Sequence, residues 1–563
     1  MALLKEFSLR DVLLELREAS VELSQCGLVN SAKWAAEQAC SLADTVDMPV
    51  DAQPLPRHDV AFWKDWDKYS MAKTYFDLKE FRRAAHFLRQ CQSSKARFLR
   101  LYSLYLGGEK TKEVPVFSQT STSKAVNAEL NKIRDELTQL ESSSQLDGYC
   151  CYLFAIVLDQ LSLSQEAIPY LVKAVTQCPM LWAAWHKLAV LLPSVSAVSD
   201  YQLPSHWMVQ FFTIDLHKEK QSDQLQSICS ALQADVPELV SNPFVNTAMA
   251  MAYYDQRDFA HCSAIFNEVR QADPCRLDFV DTYSNMLYVN GMDGELSRLA
   301  HHCVMIDRYR PETCFVIANY YSIRGDHTKA ISYFQRSLKL DSGFLSSWTL
   351  LGHEYMEVKN VSGAIECYHT ATTLNPRDYR AWYGLGQTYE VLSVPRYALY
   401  YFAKAQQLKP NDARMLQAVG ESYSACQQKD YAKKCFLRAV DLSKGDGPNA
   451  VYQLAKLHQD LGEVEDAALR FVQVVEEQES GSQSYMETDV LDAVSFLAEY
   501  FLKKCSYEKA SEYSQRCLMF DETREQGRFF LKEIADRRKS EQFGVSPMSA
   551  FDKVQPGDGA LST

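Results

Sequence analysis

The sequence predicts an all-α protein built from helix pairs stacked in tandem, and three observations support this fold class. The chain has 563 residues, which is too long for one compact core and favours several domains or an extended array. Glycine (21 residues) and proline (18) are sparse, whereas a large β protein needs more turn residues. The central region also repeats at an interval of 34 residues. That interval is the length of one helix–turn–helix unit.

Two consecutive units define the repeat. The first contains Trp348, Leu351, Gly352, Tyr355, Ala364, Tyr368, Ala371 and Pro376. Every one of these positions recurs 34 residues later, at Trp382, Leu385, Gly386, Tyr389, Ala398, Phe402, Ala405 and Pro410. This is the signature of the tetratricopeptide repeat (TPR). Weaker units hold the same register, so that six successive starts fall between residues 243 and 413.

The spacing has a physical explanation. Trp, Leu and Tyr at positions 4, 7 and 11 share one face of the first helix of a pair. Gly at position 8 and Ala at position 20 are small enough to let the two helices approach closely, and the aromatic ring at position 24 fills the space beside them. Proline at position 32 ends the second helix.

We divide the chain on this register. The predicted segments are N-terminal TPR-like helices at 1–106, a polar loop insertion at 107–127, irregular repeats at 128–242, the regular array at 243–446, C-terminal repeats at 447–540 with an insertion at 476–490, and a disordered tail at 541–563. Stacking buries a continuous core and leaves a concave surface lined by the first helices. No segment remains for a catalytic domain, so we expect no enzyme activity.

Charge and composition exclude several classes. The net charge of -13 disfavours nucleic acid and anionic membranes as partners and suits basic protein segments. No apolar run approaches the about 18 residues of a membrane span. The N-terminus is an amphipathic helix and not a signal peptide, which indicates an intracellular protein. Sixteen cysteines form no C-x-x-C pair, so neither zinc nor a disulfide framework is expected.

Motif look-alikes do not indicate a cofactor. Gly384 and Gly386 lack the third glycine and the preceding strand of a dinucleotide loop. His353-Glu354 begins like a zincin helix, but position 357 is Glu and not His. Ser546-Pro547 resembles a site for a proline-directed kinase, and an unmodified site is equally compatible with the sequence. We therefore expect no metal and no cofactor.

The concave surface is the candidate functional site. Repeat positions 2, 5, 9 and 12 face away from the buried stripe and mix aromatic, amide and acidic groups. Such a surface can hydrogen-bond an extended peptide and pair with its basic side chains. The alternative is that these positions are merely solvated. The candidates are Phe315, Asn319, His353, Arg380, Tyr383, Gln387, Glu390 and Glu421.

Several sequence segments longer than the repeat consensus indicate a particular family. They are Gly352–Asn360 (GHEYMEVKN), Arg377–Glu390 (RDYRAWYGLGQTYE), Leu408–Asp412 (LKPND), Ser70–Phe76 (SMAKTYF), Arg83–Phe87 (RAAHF) and Asp521–Glu525 (DETRE). These segments resemble subunit eight of the anaphase-promoting complex, the cell-division-cycle TPR subunit. The resemblance spans roughly residues 8–540 and is longer than the generic repeat consensus.

The resemblance implies a scaffold subunit of a multi-subunit E3 ubiquitin ligase, found in nucleus and cytoplasm. Members of this family homodimerise through their N-terminal repeats and contact other TPR subunits. Their C-terminal repeats receive a basic motif of the activator protein, while cullin-like and RING subunits carry the catalysis. A TPR co-chaperone or an adaptor for peptide tails is the alternative. It is disfavoured because position 5 of four successive units holds no lysine for a carboxylate clamp, the residues being Phe315, Thr349, Tyr383 and Gln417.

Overall fold

The computed structural model describes residues 8–43, 60–111, 127–442, 450–479 and 485–542. Within these ranges the chain forms 28 α-helices, two short 3-10 helices and no β-strand. The predicted all-α fold class is therefore confirmed. The helices belong to two compact units, Met1–Ile323 and Arg324–Thr563.

The first unit contains sixteen α-helices and both 3-10 helices, Ser196–Asp200 and Pro237–Leu239. The α-helices are α1 (Leu9–Gln25), α2 (Val29–Ala43), α3 (Val60–Asp77), α4 (Phe81–Phe87), α5 (Ser94–Thr111), α6 (Leu130–Ser142), α7 (Gly148–Gln160), α8 (Ser164–Gln177), α9 (Trp182–Leu191), α10 (Met208–Glu219), α11 (Leu225–Asp235), α12 (Pro243–Asp255), α13 (Phe259–Ala272), α14 (Val280–Val289), α15 (Asp293–Ile306) and α16 (Pro311–Ile323).

The second unit continues with the helices of the most regular repeats. They are α17 (His327–Leu340), α18 (Leu345–Glu357), α19 (Val361–Leu374), α20 (Tyr379–Val391), α21 (Pro395–Leu408), α22 (Ala413–Ala425), α23 (Lys429–Leu442), α24 (Ala450–Leu461), α25 (Val464–Glu479), α26 (Glu487–Lys503), α27 (Tyr507–Cys517) and α28 (Arg524–Gln542). Each repeat places a first helix, such as α18, against a second helix, such as α19.

A left-handed residue closes the first helix of each regular pair. Lys359 follows α18 with φ 62°, and the next amide, Asn360 N–H, donates to the Tyr355 carbonyl at 2.7 Å. This 6→1 bond is the Schellman arrangement, which satisfies a carbonyl at the helix end. Ser393 (φ 58°) and Gln427 (φ 62°) do the same after α20 and α22. The chain therefore turns sharply between the two helices of a pair.

Glycine at position 8 allows an aromatic ring to pack against the helix backbone. A β-carbon on Gly352, Gly386 or Gly420 would lie only 2.6, 2.5 and 2.7 Å from the nearest ring carbon. Contacts below about 3 Å are prohibitive for carbon atoms, whose optimal separation is 3.5–4.0 Å. The rings are Tyr368, Phe402 and Phe436, which all occupy position 24.

Tryptophan at position 4 ties its helix to the preceding turn. The indole N–H of Trp348 donates to the Ser342 carbonyl at 2.9 Å, and that of Trp382 to the Pro376 carbonyl at 2.8 Å. The predicted packing residues Trp348, Ala364 and Ala398 are buried, whereas Tyr355, Tyr389 and Trp382 are half-buried. Pro376 and Pro410 lie at exposed turns.

Three predicted segments have boundaries that differ from the helices. Residues 107–111 belong to α5 and not to a loop, and 476–479 and 487–490 belong to α25 and α26. The prediction took Gly107 and Gly108 as loop residues. Gly108 instead lets the Asn127 side chain pack against α5, because a β-carbon there would lie 1.9 Å from Asn127 Oδ1. Residues 541 and 542 end α28. The predictions for 112–126, 480–484 and the tail 543–563, including Ser546, lie outside the described residues.

The first helix pair of the chain is tied to helices far away in sequence. The Trp34 ring on α2 stacks on Trp182 with centroids 4.2 Å apart. The indole N–H of Trp207 donates to Glu15 Oε2 on α1 at 2.8 Å. Asn242 Nδ2 donates to Gln38 Oε1 at 2.7 Å. The pair α1–α2 therefore packs against residues 182–245 of the first unit.

Candidate peptide-binding groove

Three first helices of the second unit, α18, α20 and α22, carry most of the predicted groove residues. Tyr383, Gln387 and Glu390 are spaced i, i+4 and i+7 and share one face of α20. Gln387 and Glu390 are exposed, and Tyr383 is half-buried. One repeat later, Gln417 and Glu421 occupy the positions of Tyr383 and Gln387 on α22. Equivalent side chains on neighbouring repeats thus form a polar row along the first helices.

Glu390 and Glu421 give this row its negative charge. Although Glu390 is exposed, partial desolvation by the surrounding residues raises the pKa of its carboxyl, and the neighbouring charge of Glu421 raises it further. Burial also raises the pKa of Glu421, partly offset by a 2.8 Å hydrogen bond from the Gln417 amide. In the described part of the chain neither carboxylate has a cationic partner, and Gln417 Oε1 is buried without a hydrogen bond. A cationic side chain placed here would stabilise both carboxylates.

An arginine at the start of α22 lies near Tyr383. Arg414 Nη2 donates to Asp412 Oδ2 at 2.7 Å, and its Nε donates to Oδ1 at 3.2 Å. Asp412 also accepts the Arg414 amide at 3.0 Å, and so caps the N-terminus of α22. Burial raises the pKa of Tyr383, and the charge of Arg414 opposes that rise. The bidentate pair therefore holds the guanidinium against Asp412.

His353, one of the predicted groove residues, takes part in packing. Its Nδ1 lies 2.8 Å from the Tyr368 hydroxyl, and Tyr368 is fully buried. Burial, with the charge of Arg380, lowers the pKa of His353 to about 4. The imidazole is therefore neutral at physiological pH. Arg380 itself is half-buried on α20 and lies near the Tyr379 ring.

The expectation that Phe315 and Asn319 face outward is wrong. Both are buried in the first unit, at 0% and 1% exposure. Asn319 Nδ2 donates to Ser284 Oγ at 2.9 Å and to Asn285 Oδ1 at 3.0 Å. Position 9 of this repeat thus lies in the contact between α16 and α14, and position 5 is buried. The remaining six predicted residues all belong to the second unit.

The repeat positions 2, 5, 9 and 12 include two further residues of α22 that were not among the predicted groove residues. Arg414 and Gln417 stand at positions 2 and 5 of the repeat that begins at residue 413, so the rule selects them too. Asp412 precedes that repeat and carries an N-cap signal, an acidic residue directly before a helix. What the sequence could not supply is which polar side chains already bind one another. That information depends on side-chain geometry across helices.

Two side-chain clusters have the elements of a metal site. They are His186, Asp215 and Glu219, and His458, Glu463 and Asp466. In each, a lysine already binds a carboxylate: Lys218 to Asp215 at 2.6 Å and Lys433 to Glu463 at 2.7 Å. A cation in the ligand set opposes metal binding, and both clusters are explained as ion pairs. Among the described helices, none combines the length and apolarity needed to cross a bilayer.

Comparison with known families agrees with this repeat architecture. TPR models match residues 311–344 and 352–392. The chain is thus a tandem TPR protein. The family described as Anaphase promoting complex subunit 8 / Cdc23 matches residues 11–239.

Relatives extend that match along the chain. The Caenorhabditis elegans cell division cycle protein 23 homolog is 33% identical over 474 residues, which cover 82% of this chain and 70% of that protein. Anaphase-promoting complex subunit 8 of Arabidopsis thaliana is 36% identical over 391 residues, and the human cell division cycle protein 23 homolog is 41% identical over 285 residues. The chain belongs to the anaphase-promoting complex subunit 8/Cdc23 family.

The matched regions are shorter than the relatives themselves. They cover 62% of this chain and 66% of the Arabidopsis protein, and 49% of this chain and 46% of the human protein. A solved structure, the anaphase-promoting complex hetero-tetramer Cut9–Hcn1, superposes with a TM-score of 0.58 at 17% identity. That superposition covers 92% of this chain and 96% of the other. At this identity it establishes a shared TPR fold.

Proposed function

We propose that the chain is a non-catalytic scaffold subunit of the anaphase-promoting complex, a multi-subunit E3 ubiquitin ligase that controls mitotic progression in nucleus and cytoplasm. It assembles with other TPR subunits and homodimerises through its N-terminal helices. Family membership supports this assignment. The related fold of Cut9, which forms a hetero-tetramer with Hcn1, is compatible with a role in assembly.

The groove on α18, α20 and α22 binds the basic N-terminal motif of the activator protein. The observation that carries this proposal is the Glu390–Glu421 pair, two neighbouring carboxylates with raised pKa values and no cationic partner among the described residues. An arginine or lysine of the motif would lie between them. Tyr383 and Gln387 on the same face supply an aromatic contact and an amide for the peptide backbone.

The binding test uses the purified full-length chain and a labelled peptide of the activator's basic motif. Glu390→Gln combined with Glu421→Gln keeps the side-chain shape and removes both charges. We expect at least about a tenfold weaker Kd, since a charge-assisted hydrogen bond contributes about 1.5–3 kcal/mol. Tyr383→Ala combined with Gln387→Ala should weaken binding as well, with an unchanged helical circular-dichroism signal.

Glu366→Gln is the matched control, because Glu366 is exposed on the second helix α19 and away from the groove. Peptide affinity that is unchanged in both groove variants would remove this surface from the activator site.

The scaffold role is tested separately, by purifying the tagged protein from dividing cells and identifying its companions by mass spectrometry. Recovery of cullin-like, RING and other TPR subunits is the expected result. Recovery of chaperones alone would favour the co-chaperone alternative. Sedimentation of the purified chain tests homodimerisation, and a monomer at micromolar concentration would contradict that part of the proposal.

A further inference from the structure

Two second helices of the second unit present an exposed surface that the groove does not use. On α21 it comprises the exposed Tyr397 and Leu408 with the half-buried Lys404, and on α23 the exposed Tyr431, Arg438 and Leu442. Each residue of one set stands 34 positions from its counterpart in the other, so the two helices repeat one pattern of tyrosine, cation and leucine. Both helices pack against α22. We call this surface the basic aromatic face.

The tyrosines of this face are both exposed and held in place. Tyr397 is 58% and Tyr431 57% exposed. One side of each ring stacks on a tyrosine of the first helix: Tyr397 on Tyr389 at 5.4 Å, and Tyr431 on Tyr423 at 5.6 Å. An aromatic side chain fixed in this way binds a partner with little loss of conformational entropy. The outer sides of the rings are therefore preorganised contact area.

The charge of the face is opposite to that of the chain. The whole chain carries -13, yet residues 391–411 contain three cations and no acidic residue, and α23 carries four cations against Asp430 and Asp441. Four cations on the two helices, Arg396, Lys404, Lys434 and Arg438, form no ion pair within the described ranges. Lys404 lies 5.9 Å from the Tyr400 ring and Lys434 5.7 Å from the Tyr431 ring. On each helix a cation thus lies beside an aromatic ring of the same helix.

The neighbouring second helices α17, α19 and α25 lack the combination of exposed tyrosine and cations that α21 and α23 share. The preceding second helix, α19, carries no lysine or arginine, and the following one, α25, carries five acidic residues and one arginine. Helix α17 is basic but has Lys329 where α21 and α23 have tyrosine. Neither helix packing nor the repeat consensus requires an exposed tyrosine at position 19, since Gly363 occupies that position in α19.

We propose that the basic aromatic face docks an acidic segment of a partner protein whose aspartates and glutamates alternate with aliphatic or aromatic side chains. The carboxylates of that segment pair with Lys404 and Arg438, and its apolar side chains pack on Tyr397, Tyr431 and the two leucines. Nucleic acid fits less well, because an acidic chain repels a polyanion and a phosphate backbone makes no use of the leucines. This site lies on second helices and is independent of the activator groove.

The test measures fluorescence anisotropy of labelled synthetic peptides with the full-length chain at physiological salt. The probe is an acidic peptide of Glu, Asp, Leu and Phe. One control peptide replaces Leu and Phe by Ser, and another replaces the acidic residues by Lys. We expect saturable binding of the first peptide, and at least about tenfold weaker binding of the other two, since one lost ion pair or anchor contact is worth about 1.4 kcal/mol or more.

Lys404→Glu combined with Arg438→Glu should weaken binding of the acidic apolar peptide at least about tenfold. The matched control is Lys329→Glu with Lys339→Glu, which makes the same charge change on α17 and should leave the affinity unchanged. Tyr397→Ser with Tyr431→Ser should also weaken binding. Thermal unfolding verifies that each variant folds, and the charge variants alter only solvent-accessible side chains, so they test the proposal even if the tyrosine variant is unstable.

Four outcomes would overturn the proposal. One is absence of saturable binding, and another is equal binding of the acidic peptide that lacks apolar residues. A third is equal loss of affinity in the α17 control. The fourth is a different occupant: single-stranded DNA binding, or self-association in sedimentation, that Lys404→Glu with Arg438→Glu abolishes.

Discussion

The regular repeats of the second unit and the first helix pair of the first unit are held by different kinds of contact. In the regular repeats the partners are close in sequence. The Phe402 ring packs against the backbone at Gly386, and the indole N–H of Trp382 donates a hydrogen bond to the Pro376 carbonyl. In the first helix pair the partners are remote, and Gln38 pairs with Asn242 across 204 residues. Repeat contacts recur and add along the array. The long-range contacts occur once each, so losing one has no neighbouring copy to compensate it.

The largest expected effect comes from breaking the long-range contacts. Trp34→Ala removes a side chain that is 7% exposed and stacks on Trp182. We expect the free energy of unfolding to fall by about 3–5 kcal/mol, as for other buried aromatic residues replaced by alanine. Chemical denaturation followed by circular dichroism measures it.

The matched substitution in the regular repeats is Trp382→Ala. Trp382 is half-buried and stacks on Tyr401 at 6.1 Å. A smaller loss is expected there. Equal losses in the two variants would mean that the N-terminal pair is held no more firmly by its tryptophan than a regular repeat is.

The second effect tests the local contact. Gly386→Leu places a side chain where a β-carbon would already lie 2.5 Å from the Phe402 ring. Wedging the two helices apart should cost about 1–3 kcal/mol, as overpacking does. Thermal unfolding measures the change. Gly294→Leu is the control, because a β-carbon at Gly294 meets nothing within 4 Å. An unchanged melting temperature for Gly386→Leu would contradict the repeat register.

The Gly386–Phe402 and Trp34–Trp182 contacts differ in whether the sequence predicts them. The role of Gly386 follows from periodicity, because a small residue recurs every 34 positions opposite a ring. The stack of Trp34 on Trp182 follows from no local pattern, since it joins segments 148 residues apart in sequence whose register with one another is not periodic. All-α class and repeat packing were therefore predictable, and the docking of α1–α2 was not.

The candidate groove shows the same division. Glu390 and Glu421 were found because repeat positions 9 and 12 recur on the first helices. The rule failed at Asn319, where the same position binds Ser284 and Asn285 in the interior. Exposure at a given position depends on how closely the neighbouring first helix packs. Side-chain size at one position does not encode that distance.

A pH effect distinguishes the two regions further. Lys33 Nζ on α2 lies 2.8 Å from Asp278 Oδ2, across 245 residues of sequence. Burial raises the pKa of Asp278, but the hydrogen bond and charge of Lys33, with the charges of Arg276 and Arg310, outweigh it and lower the pKa overall. The carboxylate therefore stabilises the folded chain above its unfolded pKa of about 3.9, and this contribution is lost as pH falls below that value.

The expected result is that the wild type loses more stability than Asp278→Asn between neutral pH and pH 3. Lys33→Gln should show the same reduced dependence, because it removes the main stabilising partner. Denaturant unfolding at several pH values gives the comparison. A pH profile of Asp278→Asn parallel to that of the wild type would show that this long-range ion pair contributes nothing to folding.

The smallest effect concerns the turns inside the regular pairs. Ser393 adopts φ 58°, a conformation that costs a residue with a side chain about 1–2 kcal/mol, whereas Gly325 occupies the equivalent turn two repeats earlier with φ 74°. Ser393→Gly should therefore stabilise the protein by about 0.5–1 kcal/mol, after subtracting the entropy that glycine adds to the unfolded chain. Ser332→Gly, at an exposed position within α17, should instead destabilise it by about 0.5 kcal/mol, because helical φ gives glycine no advantage. Thermal unfolding of the two variants measures these opposite changes in stability. A loss of stability in both variants would mean that the turn after α20 does not hold the left-handed conformation in solution.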